Sequence, residues 1–374
     1  MSQRPLKFGL WAPYRGKWIA DPGQERVEAP FALSREVVLS AERAGFDTVL
    51  FAQHTINPRH QEDDILEAWT ACAAAAALTE RIEIIAAIKP RLYHPVVLAK
   101  MALGIEDVSQ GRFALNVVNA WFKPELEKSG IGFPEHDIRY EYGREWLEIV
   151  SRLMQGETVD FQGEHFNIRD YTLRPASRFR KRPYVYAGGE LESARQYAVD
   201  LADCWLINGR PLEDVAPLVE DVALRPRRGK PIEFGTTGFV ATRPTDAGAA
   251  KFLESLYEAQ GDFFSQFAKE REGKIDPKAQ TISYNKKYAG NRPIGANGGV
   301  LPGFVGSYDH VAEKFAAFYR AGVGTYLLSF FPLIEEQERF ASEIIPRVRR
   351  LVGHESSSVS FSSLAANTEL AAAS

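Results

Sequence analysis

Residues 82–119 read IEIIAAIKPRLYHPVVLAKMALGIEDVSQGRFALNVVN and contain one complete strand–helix–strand unit. The opening IEIIAAIK (82–89) is apolar almost without alternation, as expected of a strand covered on both faces. Helical periodicity follows over 95–109, and RFALNVVN (112–119) is a second strand of the same kind. A unit of this type makes two parallel strands joined by a crossover helix.

The same rhythm runs outward in both directions. Upstream, strands are expected at 6–12 and 48–53, with helices at 31–45 and 64–79. Downstream, a helix at 139–155 carries Tyr142, Trp146, Ile149, Val150 and Leu153 at helical spacing. Strands follow at 184–188, 204–208, 232–242 and 325–331, and helices at 191–202, 211–223, 307–321 and 334–351. Eight strands, nearly all followed by a helix, predict an α/β fold of the (β/α)8 TIM-barrel type with insertions. An open doubly wound sheet normally carries GxGxxG after its first strand, whereas Pro13-Tyr14-Arg15-Gly16 stands here.

Two segments interrupt the pattern. Residues 157–174 alternate at period two around Gly163 and read as an inserted β-hairpin. Residues 262–303 have little periodicity and read as a lid loop. The Ser/Ala-rich stretch 355–374 is expected to be a disordered tail, which leaves one barrel domain over 1–354.

Composition narrows the function. The net charge of −4 offers no basic surplus for phosphates, so no nucleic-acid role is expected. No apolar run is long enough to span a membrane, and MSQRPLKFGLW lacks the regions of a signal peptide. Cys72 and Cys204 lie far apart in apolar segments and read as reduced thiols of a cytoplasmic protein. The histidines form no HxxxH or HExxH pair, so no metal site is expected.

Barrel enzymes place their chemistry at the C-terminal ends of the strands. The residues there include Trp11, Tyr14, Gln53, His54, Lys89, Arg91, Asn116, Asn119, Gly188, Gly189, Glu190, Asn208, Thr237, Phe330 and Phe331. This set has neither paired carboxylates for glycoside hydrolysis nor a Ser-His-Asp combination. Aromatic and amide groups suit a flat aromatic cofactor better. Asn116 sits inside an apolar strand, either as a satisfied structural amide or as a contact to a flavin edge or dioxygen; the second reading is preferred. His54 is either an ordinary buried histidine or a ring contact and general acid/base. The HDIRY run, His136–Tyr140, opens a helix whose free N–H groups suit an anion, unless Asp137 simply caps it. Gly188-Gly189 lets backbone approach a phosphate, or merely makes a turn.

Residues 82–125, the HDIRY run and GETVDFQGEHF (156–166) resemble the luciferase-like flavin monooxygenases, in particular the branch of alkanesulfonate, dimethylsulfone and pyrimidine monooxygenases. The resemblance spans about residues 6–352. It implies a barrel that binds FMN as FMNH2 from a separate NAD(P)H-dependent flavin reductase. A flavin peroxide formed with O2 would then attack a small organic substrate. It also implies a homodimer or homotetramer. Gln53, His54, Asn116, Glu125, Arg139, Tyr140 and Glu190 stand where the pyrimidine-oxidising relatives hold flavin, and His136 where relatives contact its phosphate. Asn119 is grouped with this flavin-binding set, and His54 and Asn116 are the expected catalytic pair.

The departures concern the substrate. Thr237 and Phe239 replace an Arg and a His of the alkanesulfonate enzymes, and Phe331 and Leu333 replace a Tyr and a His. Asn208-Gly209 matches the sulfone enzymes, and Leu191 replaces a hydroxyl residue beside the phosphate. A neutral substrate pocket of Trp11, Tyr14, Asn208, Phe239 and Phe331, with Phe330 beside it, is therefore expected. The alternatives are a deazaflavin-dependent dehydrogenase on the same barrel and a catalytically silent flavin-binding protein.

Overall fold

The computed structural model describes residues 4–15, 28–58, 61–261, 273–274, 276, 294–295 and 297–354. Four strands open the chain: β1 (Lys7–Trp11), β2 (Thr48–Phe51), β3 (Glu83–Ile88) and β4 (Phe113–Val117). An antiparallel hairpin of β5 (Thr158–Gln162) and β6 (Asn167–Thr172) follows, then β7 (Tyr184–Gly188), β8 (Cys204–Ile207) and β9 (Glu233–Phe239). A short parallel pair, β10 (Ala241–Arg243) and β11 (Val305–Ser307), precedes β12 (Val323–Ser329). Eight of these strands close a parallel barrel in the order β1-β2-β3-β4-β7-β8-β9-β12, with Lys7 of β1 opposite Thr325 of β12 at the seam. All eight predicted barrel strands are present.

The described helices are α1 (Phe31–Ala44), α2 (Ala68–Leu78), α3 (Pro95–Val108), α4 (Lys123–Lys128), α5 (His136–Met154), α6 (Glu192–Leu201), α7 (Leu212–Ala223), α8 (Asp246–Gln260), α9 (Tyr308–Arg320), α10 (Leu333–Glu343) and α11 (Ile345–Leu351). None of them is long and apolar enough to cross a membrane. Local chemistry sets their ends. The Glu67 carboxylate accepts from the Trp69 and Thr70 N–H groups at 3.0 and 2.7 Å, satisfying free donors of α2. Gly45 closes α1 in the left-handed region at φ 91°. Arg112, just ahead of β4, donates to the carbonyls of Ala76, Thr79 and Ile82 and fastens the end of α2 to the barrel floor.

Strand apolarity is continuous because both faces are covered: every residue of β2 and of β4 is buried. Large rings fill the layer between barrel and helices, with Trp69, Trp146 and Trp205 wholly enclosed. The inserted hairpin docks on α5, where the Glu145 carboxylate accepts from the N–H groups of Glu164 and His165 at 2.8 and 2.9 Å.

Three differences from the sequence reading have local causes. Helix α8 was not expected, although Thr245 caps it and Ala249, Leu256 and Tyr257 bury one face. The strand expected over 232–242 ends at Phe239, and the chain then turns into β10 to pair with β11. The helix expected over 334–351 breaks at Ile344, ahead of Pro346. Most of the predicted lid over 262–303, and the tail 355–374, lie outside the described residues.

Candidate active site

A cavity of about 250 Å3 opens at the C-terminal ends of the barrel strands. The topology brings thirteen predicted side chains and glycines to it, from Trp11 to Asn208. Trp11 and Tyr14 come from β1 and the turn after it, Gln53 and His54 from just beyond β2, Asn116 and Asn119 from β4 and the turn after it. His136, Arg139 and Tyr140 enter from the first turns of α5; Gly188, Gly189 and Glu190 from the end of β7; Asn208 from the end of β8.

Four expected residues stand elsewhere. Phe239 is wholly buried in a cluster with Ala241, Leu256, Tyr257 and Ile294, and Phe331 packs against the same cluster. Neither lines the cavity: Phe239 is the last residue of β9 and Phe331 lies two residues beyond β12. Phe330 lies with Phe46 and Phe340 and faces a separate small cavity of about 50 Å3. Glu125 is the fourth case: it sits behind the wall, on α4, and reaches the site only through its neighbours. Its Oε1 accepts from the Thr55 N–H at 2.6 Å, and its Oε2 contacts the Lys89 ammonium.

Other residues share the wall, among them Lys89, Trp121, Leu191, Thr237, Asp276 and Asn297. Lys89 was recognisable as a strand-end residue, whereas Asp276 lies in a stretch without periodicity. Thr237 is committed internally: its hydroxyl accepts from the Gly209 N–H at 2.9 Å and donates to the Asn297 carbonyl at 2.6 Å.

Charges around the cavity come in pairs. Lys89 pairs with Glu125, Arg139 with Asp276, and Glu190 with Arg210, all six residues being buried. A lone ammonium or carboxylate in such surroundings is heavily penalised, so each pair holds the other charge in place. Glu190 also accepts from the Asn208 N–H at 2.8 Å. The pairs leave this wall without net charge.

Three further features are directed at a ligand. The Asn116 Oδ1 is buried with no protein partner, so the amide is not satisfied by the fold itself. Gly189 has φ 115°, and a Cβ there would lie 2.4 Å from the Tyr140 hydroxyl and 2.8 Å from the Ala194 Cβ; only glycine leaves this wall open. Helix α5 begins at Glu135 without a side-chain cap, since Asp137 contacts His136 Nδ1 at 3.0 Å instead of capping. Burial pushes the Tyr140 phenol above its usual range, which keeps it a hydrogen-bond donor.

His54 is enclosed by the Tyr14 ring at 6.1 Å and the Trp121 ring at 5.6 Å. Burial, then the Lys89 charge, lower its pKa to about 4. Burial alone would raise Glu125, but its contacts with His54 and Lys89 outweigh that and hold it at about 2. Both groups are thus easier to protonate in the unfolded chain than in the folded one. The stability His54 contributes is present above pH 6.5 and lost as pH falls through 4, and that of Glu125 is present above pH 4.5 and lost as pH falls toward 2. Denaturant titrations should show His54 alone accounting for on the order of 3 kcal/mol of that loss. His54→Gln should flatten the curve between pH 6.5 and 4. An unchanged slope would show that His54 is not held neutral.

Among the described residues, one group has the spacing of metal ligands, Glu141, Glu164 and His165, and none of the three lines the cavity.

Comparison with known proteins gives a consistent result. The pattern of the luciferase-like monooxygenase family matches residues 6–325. An FMNH(2)-dependent dimethylsulfone monooxygenase of Pseudomonas putida is 29% identical over 356 residues, covering 94% of this chain and 97% of that protein. Its counterpart in Pseudomonas fluorescens (strain Pf0-1) is 26% identical, covering 94% and 96%. Among solved structures, a riboflavin lyase with modified FMN and riboflavin aligns with a TM-score of 0.74 at 17% identity, covering 95% of this chain and 93% of that one. The last likeness concerns the fold alone.

Proposed function

Because the chain belongs to the luciferase-like monooxygenase family, we propose that it is an FMNH2-dependent monooxygenase that oxidises a small neutral substrate, sulfones first among the candidates. A separate NAD(P)H-dependent flavin reductase supplies the reduced flavin, and the working form is a homodimer or homotetramer. The observation that carries this reading is the cavity itself. It combines an unpartnered Asn116 carbonyl oxygen deep in the wall with an open Gly189 cradle beside Tyr140 and the start of α5.

Those features fit FMN. The flat ring needs apolar walls and a few edge contacts, which Trp11, Val118, Trp121 and Asn116 provide. Its phosphate needs N–H donors and close backbone approach, which the first turn of α5, Tyr140 and Gly189 provide. Leu191 offers no hydroxyl there, so backbone and α5 carry that contact. Bound reduced FMN supplies the electrons with which dioxygen is split between product and water.

The chain's own residues do the rest. Asn116 orients its ligand through Oδ1; His54, held neutral, offers a ring N–H; the apolar wall keeps water out. Arg139 is engaged by Asp276 and Lys89 by Glu125, and Thr237 is uncharged, so none of them offers a free charge to an anionic sulfonate. Dimethylsulfone, the substrate named for the relatives, is small and neutral and meets that constraint.

Asn116→Ala should lower coupled turnover by about 10- to 100-fold, the worth of one oriented hydrogen bond in a dry site. Flavin affinity, read by fluorescence quenching, should change far less. Full coupled turnover in that variant would remove Asn116 from the chemistry. The function as a whole is tested with purified protein, a flavin reductase, NADH, FMN and air, against sulfones, sulfonates, uracil-like rings and small amides. Product from the sulfones is expected. Tight flavin binding with no product from any class would contradict the proposed substrate.

A further inference from the structure

Lys89 has no role in the account so far beyond its charge. It follows β3 directly, is only 3% exposed, and its ammonium group stands between Glu125 and His54. Its Nζ lies 3.0 Å from His54 Nδ1. An ammonium group can only donate, so Nδ1 must be the acceptor of that bond. The neutral ring then carries its proton on Nε2, the opposite edge. Glu125 is the more distant neighbour of the ring: its Oε2 is 3.6 Å from Nδ1, against 3.0 Å for the Lys89 Nζ, so Lys89 makes the closer contact. Glu125 instead holds Lys89, and the Thr55 N–H holds Glu125.

We propose that Lys89, anchored by Glu125, is a positioning residue that fixes His54 as the neutral Nε2–H tautomer and so presents a donor, not an acceptor, to the cavity. The relay runs from α4 through β3 to the end of β2, and each member is buried. The other groups facing His54 are Tyr14, Trp121 and Phe122, which are uncharged, and Arg15, whose charge acts in the same sense as that of Lys89. The low proton affinity of His54 agrees with this arrangement. The catalytic consequence rests on the proposed flavin site; the tautomer does not.

The test is nitrogen-15 NMR of the histidine side chains in the flavin-free full-length protein. The His54 signal is assigned by its loss in His54→Gln. Wild type should show an unprotonated Nδ1 at neutral pH. Lys89→Met removes the donor and leaves the Glu125 carboxylate beside the ring. Nδ1 should then take up a proton, with the proton affinity of His54 rising at least tenfold. Lys89→Arg keeps a charged donor and should restore the wild-type signal. Should the lone Glu125 prevent Lys89→Met from folding, Lys89→Met/Glu125→Met removes both charges, and a mixture of tautomers is expected. A pure Nε2–H signal with an unchanged midpoint in either methionine variant overturns the proposal. That outcome is independent of whether FMNH2 drives any turnover.

Discussion

Gly189→Ala is expected to abolish useful flavin binding, lowering affinity by about 100-fold or more. Two effects combine. The backbone at φ 115° disfavours any side chain, at roughly 1–3 kcal/mol. The added methyl would also meet the Tyr140 hydroxyl at 2.4 Å and the Ala194 Cβ at 2.8 Å. Neither neighbour yields easily, because Tyr140 packs against the His136 and Tyr197 rings and Ala194 is buried in α6. The methyl or the displaced ring then fills the approach assigned to the phosphate. Gly45→Ala separates strain from blockage: Gly45 has φ 91° but nothing within 4 Å of an added Cβ, and it lies at the other end of the barrel strands. That variant should lose stability and keep flavin affinity. Equal affinity losses in both variants would mean that position 189 is not part of the site.

Glu125→Ala is expected to be the most destabilising single change near the cavity, at about 3–5 kcal/mol. It strands the Lys89 ammonium in a site where it is 3% exposed, and it leaves the Thr55 N–H without its acceptor. Burial already lowers the proton affinity of Lys89, and Glu125 is what opposes that. Without the carboxylate, Lys89 sheds its proton on folding while the unfolded chain keeps its own. The unfolded state then binds more protons, so the stability of the variant should recover as pH rises from 7 toward 10. The limit is about 1.4 kcal/mol per pH unit. Chemical denaturation at several pH values measures both numbers. A loss under about 1 kcal/mol, or one that grows with pH, would mean that the buried pair is not what holds this wall together.

These expectations turn on residues that differ in how readable they were. The barrel was legible because strands buried on both faces have an unusual composition, seen in IEIIAAIK and RFALNVVN. Strand ends followed directly, and with them Asn116, His54 and the Gly188-Gly189 pair. What the sequence does not carry is direction. Phe239 is two residues beyond Thr237 and on simple alternation would face the same cavity, yet the turn into β10 sends it under α8. Glu125 matched a flavin-holding position by resemblance but works from behind the wall, since α4 points its carboxylate at Lys89. The pairing of Arg139 with Asp276 joins residues 137 positions apart, and no local pattern announces it. Helix α8 does have a local signal: Thr245, Asp246 and the apolar spacing of Ala249, Phe252, Leu253, Leu256 and Tyr257 form a capped amphipathic pattern.

The most direct test of the proposed activity is an oxygen-18 experiment. Purified protein is supplied with enzymatically reduced FMN and dimethylsulfone under labelled dioxygen, and the product is read by mass spectrometry. The account predicts one labelled oxygen atom in the organic product, dependent on both reduced FMN and oxygen. Product formed equally well without oxygen, or carrying oxygen only from water, would contradict it.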